Sequence, residues 1–489
     1  MKFFTKLAYL LIIIGTVYWS FSSLKPNVSN AAILEKNTGF SMQTALFHLK
    51  NITKETHYPG TKAHTEVQNY IVNQLQKLGL ETEIQTQTAI NKKWRAATTA
   101  ENILAKIKGT ENGKALLLLS HYDSNPHSAL GASDAGSGVV TILESVRAFL
   151  AENKQPKNDI IILISDAEEL GLLGAQAFVD YHPWTKNVGL VLNFEARGSG
   201  GPSYMLMETN GKNSKLLTEL KKANPNFIAA NSLMYSIYKM LPNDTDLTVF
   251  REKGDINGFN FAFIGDHFDY HSEQDSYQRL DRESLIHQAD YLMATLPYFA
   301  NSDLTNLNSD KDLVYANFPF VDLLTYPFSW ILPMLIIAII LFLGLIFFGI
   351  SYGKLTFKGI AKGGIPFLVS LLIAPAIAFG LWKLLLIIHP QYQDILHGFT
   401  YNGYQYIIAF TCLTLYILFV VYNRFFKTIA TADLFIIPIA FWLLINGLIY
   451  TYLQGAGFFI LPVFIALFIL AILIFKGIVY LNASLLVPY

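Results

Sequence analysis

The run Ala115-Leu116-Leu117-Leu118-Leu119 passes without a break into Ser120-His121-Tyr122-Asp123. Five apolar residues in a row leave no face for water, which is the pattern of a strand buried on both sides of a sheet. Two further segments repeat it. Asp159 to Ile164 leads into Ser165-Asp166-Ala167-Glu168-Glu169, and Val188 to Phe194 leads into Glu195. Around them lie helical patterns. Thr65 to Leu78 sets Val67, Tyr70, Ile71, Leu75 and Leu78 on one face and is closed by Gly79 as a C-cap, while Val139 to Leu150 and Gly171 to Tyr181 read as further helices. Glu81 to Thr88 and Asn102 to Lys108 read as extended. The expected fold class is α/β, with a central mixed, largely parallel sheet covered by helices on both faces. In such sheets ligands collect at the carboxyl ends of the strands.

The rest of the chain prefers a different solvent. The 489 residues carry 36 Lys+Arg and 36 Asp+Glu, and 15% are charged, against about 25% in an ordinary soluble domain. From Tyr326 onward there are only seven basic and two acidic residues, which leaves 29 basic and 34 acidic groups before it. A wholly soluble protein is excluded, and so is a nucleic-acid binder driven by bulk positive charge. The single cysteine, Cys412, rules out an intrachain disulfide and a cysteine-based zinc site.

A helix needs about 20 mainly apolar residues to cross a bilayer. Five stretches qualify: Phe328 to Ile350, Ile365 to Ile388, Tyr406 to Tyr422, Leu434 to Leu453 and Phe458 to Leu481. Within them only Lys383 and Lys476 are ionisable, both near an end, so the helices read as an anchor or docking surface rather than an ion path. A sixth apolar segment, Leu7 to Phe21, follows Lys2 and Lys6 and is either an uncleaved anchor or a signal peptide. Lys2 and Lys6, then Lys354, Lys358 and Lys362, then Arg424 and Lys427 mark the cytoplasmic loops, whereas 389–405 and 454–457 lack basic residues. The expected organisation is an N-terminal anchor at 1–24, an extracytoplasmic or luminal domain at 25–325, and a membrane domain of about five helices at 326–489, in contact with lipid. Short loops and compact length favour a bacterial inner membrane, with a vacuolar or endoplasmic reticulum membrane as the alternative.

The strand exits hold the unusual side chains. Between the first two lies Gly131-Ala132-Ser133-Asp134-Ala135-Gly136-Ser137-Gly138, a glycine-rich loop with one carboxylate ahead of a helix. Each cluster alone has an ordinary explanation: a surface His–Asp pair, glutamates favouring a helix dipole, an aspartate capping a helix. Converging on one sheet edge, one histidine with several hard carboxylates is a ligand set for a divalent metal.

His121-Tyr122-Asp123, the loop around Asp134, Glu168-Glu169 with Gly171 and Gly174, Glu195, and His271-Ser272 with Asp275 resemble, in order, the motifs of the co-catalytic zinc aminopeptidases of metallopeptidase clan MH. Asn193-Phe194-Glu195-Ala196-Arg197-Gly198 and Leu241-Pro242-Asn243-Asp244-Thr245-Asp246 resemble the membrane-bound branch that includes vacuolar membrane protease. The resemblance covers residues 41 to 300. It implies a zinc-peptidase domain with two zinc ions per chain, one held by His121 and Glu195, the other by Glu169 and His271, with Asp134 bridging. Glu168 is then the general base, and Asp123 and Asp275 stand behind the ligands, Asp123 orienting the His121 ring. His271 is preferred over His267 because only it is followed by the Ser272–Asp275 pattern. Ala135 stands where many relatives have a second Asp. Arg197 is a weak candidate for substrate binding, either pairing with a substrate carboxylate or neutralising the acidic site.

The resemblance thus implies a membrane-anchored metallopeptidase acting on peptides, as an aminopeptidase, through water activated by two metals and a glutamate base. The alternatives are a catalytically silent membrane assembly or trafficking component, and a single-zinc acyltransferase like glutaminyl cyclase. Retention of all five ligands favours the hydrolase. Oligomeric state is left open.

Overall fold

The computed structural model describes residues 2–22, 39–238, 240, 244–318, 321–395, 398–426 and 429–475. It divides into two compact units, Met1–Ser22 with Tyr326–Tyr489, and Ser23–Thr325.

The second unit is built on a seven-stranded sheet in the order β1-β2-β4-β3-β5-β7-β6. Its strands are β1 (Thr82–Asn91), β2 (Ala96–Ile107), β3 (Ala115–His121), β4 (Ile160–Ser165), β5 (Val188–Ala196), β6 (Gly200–Glu208) and β7 (Gly258–Gly265). The four central strands β4, β3, β5 and β7 run parallel, and β1, β2 and β6 are antiparallel to their neighbours. The unbroken apolar runs are explained by their two faces. Leu116 and Leu118, with Ile160, Ile162, Leu190 and Leu192, enter one core; Leu117 and Leu119, with Ile161, Leu163 and Val191, enter the other. Helices α2 (Met42–Ile52), α3 (Lys62–Lys77), α4 (Gly138–Ala151) and α9 (Arg282–Phe299) supply side chains to the first core, and α5 (Leu173–Tyr181) and α8 (Asp246–Gly254) to the second. Truncating one such leucine to alanine costs about 2–5 kcal/mol.

The expected segments agree with observed elements to within a few residues, except that β2 begins six residues earlier than Asn102. Its first half, Ala96 to Glu101, pairs with β1 as a largely exposed hairpin arm of small and polar residues, so no apolar run announces it. Gly79 lies just past the helix end, at φ +80°, where its N–H donates to Gln76 O at 2.9 Å. Strands β6 and β7 have no counterpart among the expected elements. Two short helices, α6 (Ser214–Ala223) and α7 (Ser232–Tyr238), follow β6, and β8 (Leu313–Phe318) pairs with β9 (Val321–Pro327).

The other unit contains α1 (Lys2–Ser22), α10 (Ile331–Ser351), α11 (Phe357–Ile388), α12 (Gly403–Phe426), α13 (Thr431–Tyr452) and α14 (Ile460–Phe475). Among the described residues five helices are long and apolar enough to cross a membrane, and Leu10–Ser22 is a shorter apolar stretch. Leu335, Ala338 and Phe342 of α10 pack with Ile436, Ile439 and Leu443 of α13 and Val463, Leu467 and Leu470 of α14. Helix α11 starts eight residues before the expected Ile365 because Thr356 caps it, accepting the Gly359 N–H at 2.9 Å. Helix α13 likewise starts early and brings Asp433 into a span, buried, where its carboxylate accepts the Thr356 N–H at 3.1 Å. Lys383 lies over the Phe379 ring. Lys427 and Lys476 fall outside the described residues.

Candidate metal centre

Four parallel strands end on the same side, so the segments that follow them share one edge. His121 is the last residue of β3, Glu195 the penultimate residue of β5. Glu168 and Glu169 follow β4, His271 follows β7, and Asp134 lies in the turn Ala132–Ser137 ahead of α4.

His121 is fully buried. Its Nδ1–H donates to Asp123 O at 2.9 Å, which leaves Nε2 facing Asp134 Oδ1 at 3.2 Å and Glu195 Oε2 at 3.6 Å. On the other side His271 Nε2 lies 3.3 Å from Asp134 Oδ2 and 3.0 Å from Glu169 Oε2. Asp134 therefore presents a different oxygen to each histidine. The side chains fall into two chelating groups, His121–Asp134–Glu195 and Asp134–Glu169–His271, each with its ligand atoms within 4.8 Å of one another. Glu168 is in neither group and lines the adjoining cavity. His267 turns away, its Nδ1–H donating to Arg197 O at 2.6 Å.

The supporting residues work through the backbone. The Asp123 carboxylate stands 3.4 Å from His121 Nδ1, but its two oxygens accept the N–H groups of Glu168 and Glu169, each at 3.1 Å. The ring is thus oriented by the Asp123 carbonyl, and the carboxylate fixes the paired-glutamate turn. Asp275 does the same for the other loop, accepting the Ser133 N–H at 2.6 Å and the Asp134 N–H at 3.1 Å. Ala167 and His271 take positive φ, 54° and 53°, a costly conformation for residues with a side chain, and one that collects at functional sites.

The electrostatics are those of a site built for cations. Burial works against charge on both histidines, yet Glu195, Asp123 and Asp134 raise His121 well above the usual range, and Asp134 and Glu169 raise His271 to about 10. Burial and the Asp134 charge push Glu169 up to about 7, and burial pushes Glu168 well up. Asp134 goes the other way: its burial is outweighed by hydrogen bonds from His121 and His271. Protons therefore occupy places between facing ligand atoms. Among the described residues Glu169 Oε1 is buried without a hydrogen bond, an expense that a metal ion removes. This donor set, two imidazoles and three carboxylates with one shared, fits a pair of divalent ions.

Sequence reasoning missed several contributors. Asn125 donates from Nδ2 to Glu169 Oε2 at 2.8 Å and accepts the His127 N–H at 3.0 Å, so its amide orients a ligand. Asp246, quoted only as part of a motif, is fully buried, accepts a hydrogen bond from Ser165 Oγ, and is pushed up to about 7 by burial. Leu241, Pro242 and Asn243 of that motif lie outside the described residues. A cavity of about 170 Å³ opens beside Asp134, Glu168 and Glu195, lined also by Arg197, Leu206, Met234, Ile237, Tyr238, Ala262, Ile264 and Tyr270. Its apolar walls come from β6, β7 and α7, whose side chains carry no motif.

Residues 102–296 match the model of Peptidase family M28. It is similar to the vacuolar membrane protease of Candida dubliniensis, with 28% identity over 288 residues, 57% of this chain and 30% of that protein. Against the vacuolar membrane protease of Schizosaccharomyces japonicus the identity is 32% over 293 residues, 57% of this chain and 33% of the relative. The chain spans about a third of the length of these curated relatives. Among solved structures, a Zn-dependent exopeptidase from Parabacteroides distasonis is 20% identical with a TM-score of 0.42, covering 53% of this chain and 98% of that one. A glutaminyl cyclase from Porphyromonas gingivalis is 20% identical with a TM-score of 0.43 and the same coverage.

Proposed function

We propose that the chain is a membrane-anchored di-zinc metallopeptidase that releases residues from the N-termini of peptides. The observation that carries this reading is the pair of chelating groups sharing Asp134 through its two oxygens, with Glu168 free beside the cavity. His121, Asp134 and Glu195 would hold one ion, and Asp134, Glu169 and His271 the other. A pair of ions held there would supply Lewis acidity for a scissile carbonyl and lower the pKa of water. The chain's own part is proton handling and placement. Glu168 takes a proton from the attacking water and delivers it to the leaving amine nitrogen as the carbon–nitrogen bond breaks. Asp123 and Asp275 hold the two loops in register through main-chain N–H groups.

The peptidase domain, taken as residues 25–325, is proposed to face away from the cytoplasm, on the strength of the loop charges; the short loops favour a bacterial inner membrane over a vacuolar or endoplasmic reticulum one. The deciding experiment is metal analysis of the purified full chain combined with digestion of a peptide library. Two zinc ions and trimming from N-termini support the reading. One ion would favour a cyclase-like acyltransferase, and an inert metal-free protein a silent assembly component.

A further inference from the structure

Arg197 stands two residues beyond Glu195, past the end of β5, with its backbone pinned by Arg197 N–H to Phe263 O at 2.8 Å and by His267 to Arg197 O. Its side chain is half-buried and lines the cavity together with Glu168 and the apolar Leu206, Met234 and Ile237. The guanidinium carbon lies 5.6 Å from the centre of the Tyr270 ring. Among the described residues no carboxylate and no hydrogen-bond acceptor pairs with it. Asp134 and Glu168 favour its charge from a distance, but neither forms an ion pair with it, so its hydrogen-bond donors remain available to an anion in the cavity.

This inference rests on the two-zinc reading, on which the two ions would engage Asp134, Glu169 and Glu195 and leave the Arg197 donors facing the cavity without an ion pair. We propose that Arg197 binds a carboxylate of the peptide substrate, so that the enzyme prefers acids to the corresponding amides. A guanidinium offers a planar fork that a carboxylate meets with two parallel hydrogen bonds. The carboxylate has two sources: the α-carboxylate of a very short peptide, or an acidic side chain at the cleaved residue.

The test uses the zinc-loaded full chain in detergent carrying Glu168→Gln, which binds without turnover. Leucyl-leucine and leucyl-leucinamide differ only in the terminal carboxylate; glutamyl-leucinamide and glutaminyl-leucinamide differ only in the acidic side chain. Calorimetric titration should give, in at least one pair, an acid bound at least about tenfold more tightly than its neutral partner. The pair that does so names the source. Adding Arg197→Met should bring that ratio to about one with zinc content unaltered, and Arg197→Lys should keep part of it. Ratios near one in both pairs, a ratio that survives Arg197→Met, or loss of zinc in that variant would each overturn the proposal. If none of the four peptides binds, the peptidase reading itself fails and takes this inference with it.

Discussion

His287, on α9, is a buried imidazole whose protonation state is fixed by its neighbours. Nδ1 accepts the Ser203 N–H at 3.0 Å, so the proton is on Nε2, which donates to Phe227 O at 3.0 Å, and the ring stacks on Tyr291 at 4.6 Å. A second proton would set two N–H groups against each other. Burial lowers the pKa from 6.5 to about 4. The unfolded chain then binds more protons than the folded one between those values, so the stability is whole above pH 6.5 and is lost as pH falls toward 4. The loss is about 2 kcal/mol by pH 5 and about 3 kcal/mol in full. Helix α9 also carries Gln288, which donates to Glu195 O at 2.8 Å, so the loosening reaches a proposed metal ligand. Urea unfolding of the full chain in detergent, read by pulse proteolysis of the peptidase domain, should be compared for wild type and His287→Gln at pH 7.5 and 5. His57 and the metal ligands titrate in both proteins and cancel. The stability gap between them should shrink by about 2 kcal/mol on acidification; a gap independent of pH would refute the reasoning.

Glu168→Gln should abolish turnover while zinc stays bound, whereas Glu169→Gln should lose metal; a Glu168→Gln enzyme at near normal rate would end the general-base role. Zinc should bind with proton release at pH 7, because His271 and Glu169 hold protons in the empty site, so affinity and activity fall together on acidification and added zinc restores part of the rate below pH 6. Titration calorimetry in buffers of different ionisation enthalpy checks this, and no dependence on buffer would contradict it. A Cβ at Gly174 would stand 2.2 Å from Asp166 O and 2.5 Å from Asn102 Oδ1, so Gly174→Ala should lower stability by at least about 1–3 kcal/mol and slow catalysis by displacing the Glu168 turn; an unchanged melting temperature would count against that packing. Protease added to sealed vesicles of known sidedness should cut residues 25–325 and the loop at Lys354 to Lys362 from opposite faces, and cleavage of both from one face would sink the six-span topology.

The membrane helices and central strands were legible because each is a long local signal. Ala115 to Leu119 or Phe328 to Ile350 can bury itself in only a few ways, and apolar runs announce this without reference to the rest of the chain. The metal-binding candidates were legible for a related reason: side chains with strong chemistry at the exits of parallel strands must meet on one edge. The half-exposed arm of β2 was less visible, since its partner β1, and not its own composition, holds it extended. Where helices begin was also decided elsewhere, as at Asp433, drawn into a span by the N–H of Thr356. Asn125 and the apolar walls of the cavity had no sequence signature, and for Asp123 and Asp246, which lie in recognisable motifs, the sequence did not tell which atoms they would hold. A hydrogen bond from Asp123 to the turn at Glu168 spans 45 residues, and one from Asp275 to Ser133 spans 142. Residue type and periodicity are local properties of the chain and dictated its two solvents and its strands, while the choice of which carboxylate orients, which chelates and which stays free depends on distances that exist only after the sheet has closed.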